Sequence, residues 1–479
     1  MPLHITGAAD PTLIDLPWSL PLSAWPEDRI AALPRGLSRH VVRFVRHEDK
    51  VLAIKETNPR IAHREFDMLR ELERLEAPCV HAVAVVTGRF DAEGNELAAA
   101  LVTEHLAFSL PYRALFSQSL RKPTLNRLVK ALSVLLVRLH LLGFYWGDVS
   151  LSNALFRRDA AEFSAYLVDA ETGDMHADLT DGQREYDLEL AMTNITGELL
   201  DLQASEDLDE EVDPFAVGEK LERYYRELWE ALTKDATYTS NIPLHVAERV
   251  RQLNDMGFDV DELDMRSTED GTAITIRPKV VDAGHHSRRL LRLTGLDVQE
   301  NQARRLLNDL DEFRAVRPHL EDEAFGAHEW LTAIFEPTVR AVPRDLRGKL
   351  EPAQIFHEIL DHRWYLAQAA EHDVPMPVAT ASYVKNVLPT KEDEQAVLGR
   401  SLAEMTAELP ALTAEVGTQF ETRELTEIDN TGAWGGPVSE GYEPAPDTGE
   451  MPTVVRKTTL RPPPRHHRPG GTPDEEGRR

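Results

Sequence analysis

The sequence predicts an α+β protein in which a small β-rich lobe and a helical lobe precede a second, mainly helical domain and a disordered tail. Three observations favour this order. Strand-like runs lie between about residues 38 and 103, and helical periodicity dominates after Pro111. Residues 422–479 contain nine prolines and eight glycines but few large apolar side chains. A length of 479 residues is sufficient for two or three domains.

The β-rich lobe is predicted at residues 28–104. Two strand-like runs, RHVVRFVR and KVLAIK, flank the polar segment HEDK, as is typical of a β-hairpin. The helical segment IAHREFDMLRELERLE follows, and residues 82–86 and 98–103 are further strand candidates. We therefore expect one small mixed sheet that carries one helix.

The helical lobe is predicted at residues 105–235. A loop and two strands, GDVSLSNALFRR and FSAYLVDAETG, interrupt it, and helices resume from about Gln183. The acidic run EDLDEEVD at 206–213 is interpreted as a solvated linker. Leucines three and four residues apart mark one buried helix face: Leu128, Leu132, Leu135, Leu136 and Leu139.

The second domain is predicted at residues 236–395, with one strand, TAITIRPKVV, among amphipathic helices. The tail at 422–479 has too little apolar surface to offset the entropy of ordering, so we expect it to be disordered. One helix of the second domain has a clear apolar face: Ala303, Leu306, Leu307, Leu310 and Phe313.

Composition excludes several classes of protein. A formal net charge of −29 argues against general nucleic-acid binding. A single cysteine, Cys79, excludes a disulfide framework, a thiolate zinc site and an iron–sulfur cluster. No stretch approaches the roughly 18 apolar residues of a spanning helix, and the first residues lack a signal-peptide pattern. We therefore expect a soluble, cytoplasmic protein without a transmembrane segment.

The first candidate site residues are Lys55 and Glu65. Strand alternation puts Lys55 on one face with Val51 and Ala53, so a cation lies beside a small residue that leaves room for a flat ring. A lysine at the end of a strand is more often a solvated edge residue. Glu65 lies about 30° from the centre of an apolar helical stripe, and a carboxylate on a buried face needs a partner, for which Lys55 is the candidate. The stripe consists of Ile61, Met68, Leu69, Leu72 and Leu75.

The strongest motif is the loop LGFYWGDVSLSNALF at 142–156. Asp148 and Asn153 are five residues apart, the spacing of the D-x-x-x-x-N catalytic loop of phosphoryl-transfer enzymes. Asp148 would accept or orient the proton of an acceptor hydroxyl, and Asn153 would offer an oxygen ligand to Mg²⁺. Asp169 ends the apolar strand YLVD and is a second ligand candidate, with Glu171 as a weaker one.

Together these residues form the pattern K…E…D-x₄-N…D, which resembles the eukaryotic-like kinase fold and most closely the lipopolysaccharide kinase (Kdo and heptose kinase-like) group. The resemblance covers about residues 28–235. The whole-chain pattern is similar to an actinobacterial family that joins such a region to a conserved domain of unknown function.

The resemblance implies a bilobal protein-kinase-like fold with ATP and Mg²⁺ as cofactors. Lys55 would bind the α- and β-phosphates beside Val51 and Ala53, and Glu65 would pair with Lys55. Asp148 would be the catalytic aspartate. The metal ligands would be Asn153 and Asp169.

The chain departs from the kinase pattern at three points. No G-x-G-x-x-G lies between the first two strands, and the segment RGLSRH has one glycine, Gly36. Trp146 stands two residues before Asp148, where His or Tyr is common, and the triplet DAE replaces D-F-G. These changes predict that phosphate cover by backbone amides is either weaker or supplied differently. They also predict either a site that is not gated by activation-loop phosphorylation or weak catalysis. Asp187, in QREYDLELAMTN, is a candidate brace of the catalytic loop from a helix.

Two functional hypotheses remain. The first is a Mg²⁺–ATP-dependent phosphotransferase acting on a hydroxyl, with a sugar or glycolipid among the candidate acceptors. The second is a nucleotide-binding pseudokinase that regulates or scaffolds a protein partner through residues 236–395. A zinc site in HEILDH is rejected because His357 and His362 lie about 140° apart around a helix. The basic cluster HHSRRLLR at 285–292 is either a solvated helix face or an anion site.

Overall fold

The computed structural model describes the chain from residue 3 to residue 394 with interruptions. The predicted tail at 422–479 and the segment with Gly36 lie outside the described residues. The described residues are 3–7, 11–26, 29–31, 40–47, 50–112, 115, 122–205, 208, 211–234, 236–238, 245, 247–248, 250–251, 253, 258–267, 274–317, 320, 322–391 and 393–394.

The first lobe is built on one sheet with the strand order β1-β4-β5-β3-β2, and the prediction of a mixed sheet was wrong because every pairing in it is antiparallel. The predicted hairpin is confirmed, since β2 pairs with β3 from Val42 opposite Lys55 to His47 opposite Lys50. Strand β1 pairs with β4 and lies upstream of residue 28, where we predicted the lobe to begin. The strands are β1 (His4–Gly7), β2 (Val42–His47), β3 (Lys50–Thr57), β4 (Ala82–Thr87) and β5 (Ala99–Glu104).

Helix α1 (Pro59–Arg74) follows β3 and packs on one face of this sheet. Its start is encoded locally, because the Asn58 side chain accepts a hydrogen bond from the Arg60 backbone nitrogen and a proline occupies the first turn. The buried face differs from the predicted stripe. Ile61 is exposed, and Phe66 is buried in its place. Glu65 still lies on the buried face, and its side chain is almost inaccessible to water.

The described residues of the helical lobe form three long helices and two small sheets. The predicted leucine face is confirmed, because all five leucines of the first of these helices are buried. One sheet has the order β6-β8-β9, and β7 pairs with β10. The helices are α2 (Lys122–Leu141), α3 (Asp181–Ala204) and α4 (Pro214–Thr233). The strands are β6 (Ser109–Pro111), β7 (Phe144–Tyr145), β8 (Ala154–Asp159), β9 (Glu162–Leu167) and β10 (Asp174–Met175).

The two lobes share one apolar core. Phe66 and Leu69 of α1 belong to the same buried cluster as Leu132 of α2 and Ile195 of α3. A separate cluster covers the other face of the first sheet, where Trp18 and its neighbours pack. Helix α1 and the sheet face that it covers therefore pack against the helical lobe.

The second domain begins with an antiparallel sheet of order β11-β13-β12, where the sequence predicted one strand. Its helices enclose a core of their own, which includes the predicted face from Ala303 to Phe313. The prediction of a mainly helical second domain is therefore confirmed. The strands are β11 (Ala236–Tyr238), β12 (Phe258–Ser267) and β13 (Ile274–Ala283). The helices are α5 (His285–Thr294), α6 (Glu300–Ala315), α7 (Glu323–Trp330), α8 (Glu336–Arg340), α9 (Pro352–Ala370) and α10 (Met376–Asn386).

Among the described residues, no helix combines the length and the apolar character needed to cross a lipid bilayer.

Candidate functional site

A cleft of about 1100 Å³ lies between the first sheet and the helical lobe. Its walls come from β2, β3, the connection after β5, the loop before β8 and the second half of α3. Val51 is packed with Ala31 and Phe44, and its contact with a nucleotide stays a prediction. The other predicted site residues all line the cleft: Ala53, Lys55, Glu65, Asp148, Asn153 and Asp169.

Lys55 is the centre of an ionic cluster inside this cleft. Its Nζ lies 3.0 Å from Glu65 Oε2, 2.7 Å from Asp169 Oδ2 and 3.1 Å from Glu171 Oε2. The Lys55 side chain is 12% exposed, so the contacts are largely shielded from water. The predicted Lys55–Glu65 pair is therefore present, and Asp169 and Glu171, more than 100 residues away in sequence, join it.

The cluster holds three carboxylates against one ammonium group. Burial lowers the pKa of Lys55, but the charges of Glu65 and Asp169 outweigh burial and raise the pKa above its ordinary value. Burial and the charge of Asp169 raise the pKa of Glu65 to about 8, although Lys55 opposes this shift. The lysine therefore stays charged, and the cluster has an excess of negative charge.

The oxygen atoms of this cluster fit a hard divalent cation. One carboxylate oxygen from each of Glu65, Asp169 and Glu171 lies within 4.8 Å of the others, and the described residues contain no other such group of three. Mg²⁺ prefers oxygen ligands and usually keeps several waters. The Glu171 backbone nitrogen donates to Asp169 Oδ1, and His40 Nε2 lies 3.2 Å from Glu171 Oε2. Glu171, the weaker ligand candidate of the sequence, is thus part of the cluster.

The Asp148 carboxylate is held by two asparagine side chains. Asn153 Nδ2 donates to Asp148 Oδ2 over 3.1 Å and to the Asp148 carbonyl oxygen over 2.9 Å. Asn194 Nδ2 donates to Asp148 Oδ1 over 3.2 Å. Each carboxylate oxygen therefore accepts one amide hydrogen bond, which fixes the plane of the group. Because the Asn153 nitrogen bonds to Asp148, its amide oxygen is the atom left for a metal.

Helix α3 braces the loop that carries Asp148. Asp187 is fully buried and accepts hydrogen bonds from the backbone nitrogens of Trp146 (2.7 Å) and Gly147 (2.8 Å). This geometry agrees with the bracing role that the sequence suggested for Asp187. Glu198 accepts from the backbone nitrogens of Leu151 (2.8 Å) and Ser152 (3.0 Å). The loop is thus held at both ends by one helix.

Sequence reasoning missed Asn194 and Glu198, although a signal was present. They lie seven and eleven residues after Asp187, which puts all three polar side chains on one face of a helix. The same helix buries Leu188, and a polar row beside buried apolar positions indicates contacts with another part of the chain.

Trp146 connects the loop that carries Asp148 to Asp169, which lies two residues after β9. Its indole Nε1 donates to the Asp169 carbonyl oxygen over 3.1 Å, and its own carbonyl oxygen accepts from Thr172 Oγ1 over 2.9 Å. The next residue, Gly147, has φ +75°, and a Cβ there would lie 3.1 Å from the Thr172 carbonyl oxygen. The departure from the kinase pattern at position 146 therefore has a structural role.

The rejected and secondary motifs of the sequence lie outside this cleft. His357 Nε2 faces Asp361 at 3.3 Å, and His362 Nε2 faces Ser382 Oγ at 2.9 Å, so the two rings do not share a site. Burial raises the pKa of the Cys79 thiol to about 12. Within the basic cluster, His286, Arg288 and Arg289 pair with Glu300, Glu76 and Glu323 respectively. These ion pairs favour a structural role for the cluster.

Comparisons with known proteins give two family matches. The model of the lipopolysaccharide kinase (Kdo/WaaP) family matches residues 45–196, a span that contains every predicted site residue. The model of a domain of unknown function, DUF4032, matches residues 227–388 and begins within α4. These matches confirm the predicted resemblance and support a kinase-like phosphotransferase.

One solved structure, described as WaaP in complex with acyl carrier protein, is similar to this chain with 17% sequence identity and a TM-score of 0.31. The similarity covers 53% of this chain and 99% of that chain. No curated protein gives a significant match.

Proposed function

We propose that this protein is a Mg²⁺–ATP-dependent phosphotransferase that phosphorylates a hydroxyl group of a sugar or glycolipid acceptor. The observation that carries the proposal is the ionic cluster around Lys55, which joins the sheet, α1 and the strand end at Asp169. Phosphoryl transfer depends mainly on positioning and charge neutralisation, and this cleft contains side chains for both.

The nucleotide end of the cleft is assigned to the wall around β3. Lys55 would contact the α- and β-phosphates, and Glu65 would hold the lysine in place. Ala53 leaves room for the base, which would approach the connection at His105. Burial lowers the pKa of His105 to about 4, so a neutral ring faces this end of the cleft at physiological pH.

Asn153 and Asp169 are the proposed ligands of Mg²⁺, with Glu171 as an additional carboxylate. When bound, the ion neutralises charge on the transferred phosphate and orients it. The excess negative charge of the Lys55 cluster supports this assignment, because a cation would compensate the carboxylates and leave Lys55 available to the nucleotide.

Asp148 is the proposed catalytic aspartate. The two amide hydrogen bonds from Asn153 and Asn194 hold its carboxylate at the cleft surface, where it would accept or orient the proton of the attacking hydroxyl. The cleft beside Asp148 continues along residues with small polar side chains, which suits a hydroxylated acceptor. These are Ser150, Ser152, Thr193 and Asn194.

The test is turnover with labelled ATP, Mg²⁺ and fractionated cell extract, in which the wild type is compared with Asp148→Ala. We expect label transfer by the wild type alone, while both proteins bind ATP. If both proteins bind ATP and neither transfers label, the enzymatic proposal is wrong. In that case the second candidate, a nucleotide-binding pseudokinase, becomes the better account, and it is favoured by the replacement of D-F-G with DAE.

The cytoplasmic location and a protein partner for residues 236–395 remain predictions. Fractionation of cells that produce a tagged full-length chain would test the first of these. Affinity purification with and without residues 236–479 would test the second.

A further inference from the structure

The hairpin β8–β9 carries a proposed metal ligand at each side of its open end. Asn153 immediately precedes β8, and Asp169 follows β9 by two residues. The Val168 backbone nitrogen donates to the Asn153 carbonyl oxygen over 3.1 Å, so the ladder extends to the ligands. The strands pair from Ala154 opposite Leu167, at the open end, to Asp159 opposite Glu162, at the closed end. Six strand residues place the two ends about 17–20 Å apart.

The closed end of this hairpin is bonded to the second domain through Asp159. Asp159 is 1% exposed and accepts hydrogen bonds from the Gln302 backbone nitrogen (2.7 Å), Asn301 Nδ2 (2.9 Å) and Ser164 Oγ (2.8 Å). Gln302 lies in the first turn of α6, whose own N-cap, Gln299, makes no capping hydrogen bond with its side chain. A carboxylate of the kinase-like region therefore caps a helix of the second domain.

Two glutamines of the second domain hold the turn of the hairpin. Gln302 Nε2 donates to the Arg158 carbonyl oxygen over 3.0 Å, and Gln354 Nε2 donates to the Ala160 carbonyl oxygen over 3.1 Å. Ala160 has φ +56°, a conformation that residues other than glycine adopt only rarely. The contacts thus hold a backbone turn that would otherwise be unfavourable for this sequence.

Two ion pairs complete the contact. Arg157 Nη2 lies 2.7 Å from Glu351 Oε1, at the start of α9, and Arg158 Nε lies 2.6 Å from Glu394 Oε1. Both pairs are mostly buried, so they fix side-chain positions better than exposed pairs do. We call the set Asn301, Gln302, Glu351, Gln354 and Glu394 the second-domain clamp.

We propose that the second-domain clamp holds the hairpin β8–β9 so that Asn153 and Asp169 keep the positions needed to bind the metal–nucleotide complex, with Asp159 as the positioning residue. β6 pairs with β8 only from Leu155 to Arg157, so the turn beyond Arg157 is held by its contacts with the second domain. The inference rests on the proposed function where it concerns the metal and goes beyond it by giving the second domain a role.

The first test uses hydrogen exchange of the full-length chain and needs no nucleotide. We expect Asp159→Ala to accelerate exchange at both ends of the hairpin, including residues 153–155 and 167–169. Asp322→Ala is the matched control. Asp322 also caps a helix of the second domain, α7, but it does not cap α6, which contacts the hairpin. Faster exchange confined to residues 157–162 would refute the proposal.

The second test measures ATP affinity with and without Mg²⁺. Asp159→Ala is expected to weaken binding of Mg²⁺–ATP by roughly tenfold, within the usual range for coupling between separate parts of a protein, while metal-free ATP binding stays unchanged. Asp159→Asn should retain part of the affinity, because its amide oxygen can still accept from Gln302. An equal loss with and without Mg²⁺ would contradict the proposal.

A charge reversal distinguishes the loss of one ion pair from general misfolding. Arg157→Glu should weaken Mg²⁺–ATP binding, and adding Glu351→Arg should restore it, since the pair can form in the opposite sense. Failure of the double variant to recover while it remains folded would count against the proposal. If the wild type binds no ATP at all, the proposed function is wrong, and the exchange result alone decides whether the clamp controls the hairpin.

Discussion

The Trp146 indole nitrogen donates to the Asp169 carbonyl oxygen over 3.1 Å. This bond joins the loop that carries Asp148 to the strand end that carries a proposed metal ligand. The tryptophan is fully buried, so the bond is made in a low-dielectric environment, where hydrogen bonds are strong. The bond therefore fixes the distance between two parts of the site that are 23 residues apart in sequence.

Replacing Lys55 with alanine should weaken ATP binding ten- to hundredfold, because charge-assisted hydrogen bonds contribute about 1.5–3 kcal/mol. Isothermal titration calorimetry with Mg²⁺–ATP would measure the change. Lys50→Ala is the matched control, since Lys50 lies on the same strand and its side chain is exposed in a pair with Glu104. Unchanged affinity of Lys55→Ala would contradict the whole arrangement of the site.

Stability should fall as the pH rises towards 8 because of Glu65. The folded pKa of Glu65 is raised from 4.5 to about 8, so the folded state binds the proton more tightly than the unfolded state. The stabilisation that protonated Glu65 gives is fully present below pH 4.5 and is lost as the pH rises through the folded-state pKa. Each proton changes the free energy of unfolding by at most about 1.4 kcal/mol per pH unit.

The measurement is urea unfolding from pH 5 to pH 9 for the wild type and Glu65→Gln. We expect the wild type to lose stability relative to the variant across this range. Parallel stability curves would mean that the carboxyl group keeps an ordinary pKa in the folded protein.

Asn194→Ala should lower turnover about tenfold with little change in ATP affinity, because one hydrogen bond that orients Asp148 is lost while the nucleotide contacts remain. Steady-state kinetics with the acceptor found in the turnover assay would separate kcat from KM. Glu189→Ala, an exposed change on the same helix, is the control. Equal turnover of Asn194→Ala and the wild type would remove this asparagine from the proposed site.

Asp187→Asn should destabilise the protein by about 2–3 kcal/mol, because a buried charged acceptor of two backbone hydrogen bonds is lost. The amide nitrogen of the variant would also face a backbone donor. Thermal and urea unfolding would measure the loss, and Asp201→Asn at an exposed position of α3 is the control. Similar stabilities for the two variants would show that Asp187 does not brace the loop.

Much of the fold was predictable because its signals are local. The hairpin of β2 and β3, the leucine face of α2 and the apolar face of α6 follow from periodicity within one segment. The prediction failed where burial is decided by another part of the chain. Ile61 looks like a core residue in sequence, but the sheet packs against the helix face that contains Phe66. Likewise, β12 was missed although it pairs with β13.

The sequence by itself determined the residue types of the site, because each of its motifs depends on a short stretch of chain. These motifs are the lysine on a strand, the D-x₄-N loop and the aspartate at a strand end. The tertiary structure decided which of them meet. The Lys55 contacts with Asp169 and Glu171, and those of Asp159 with α6, join residues more than 100 positions apart. Such contacts depend on how whole lobes pack, and packing is a property of surfaces that no local pattern contains.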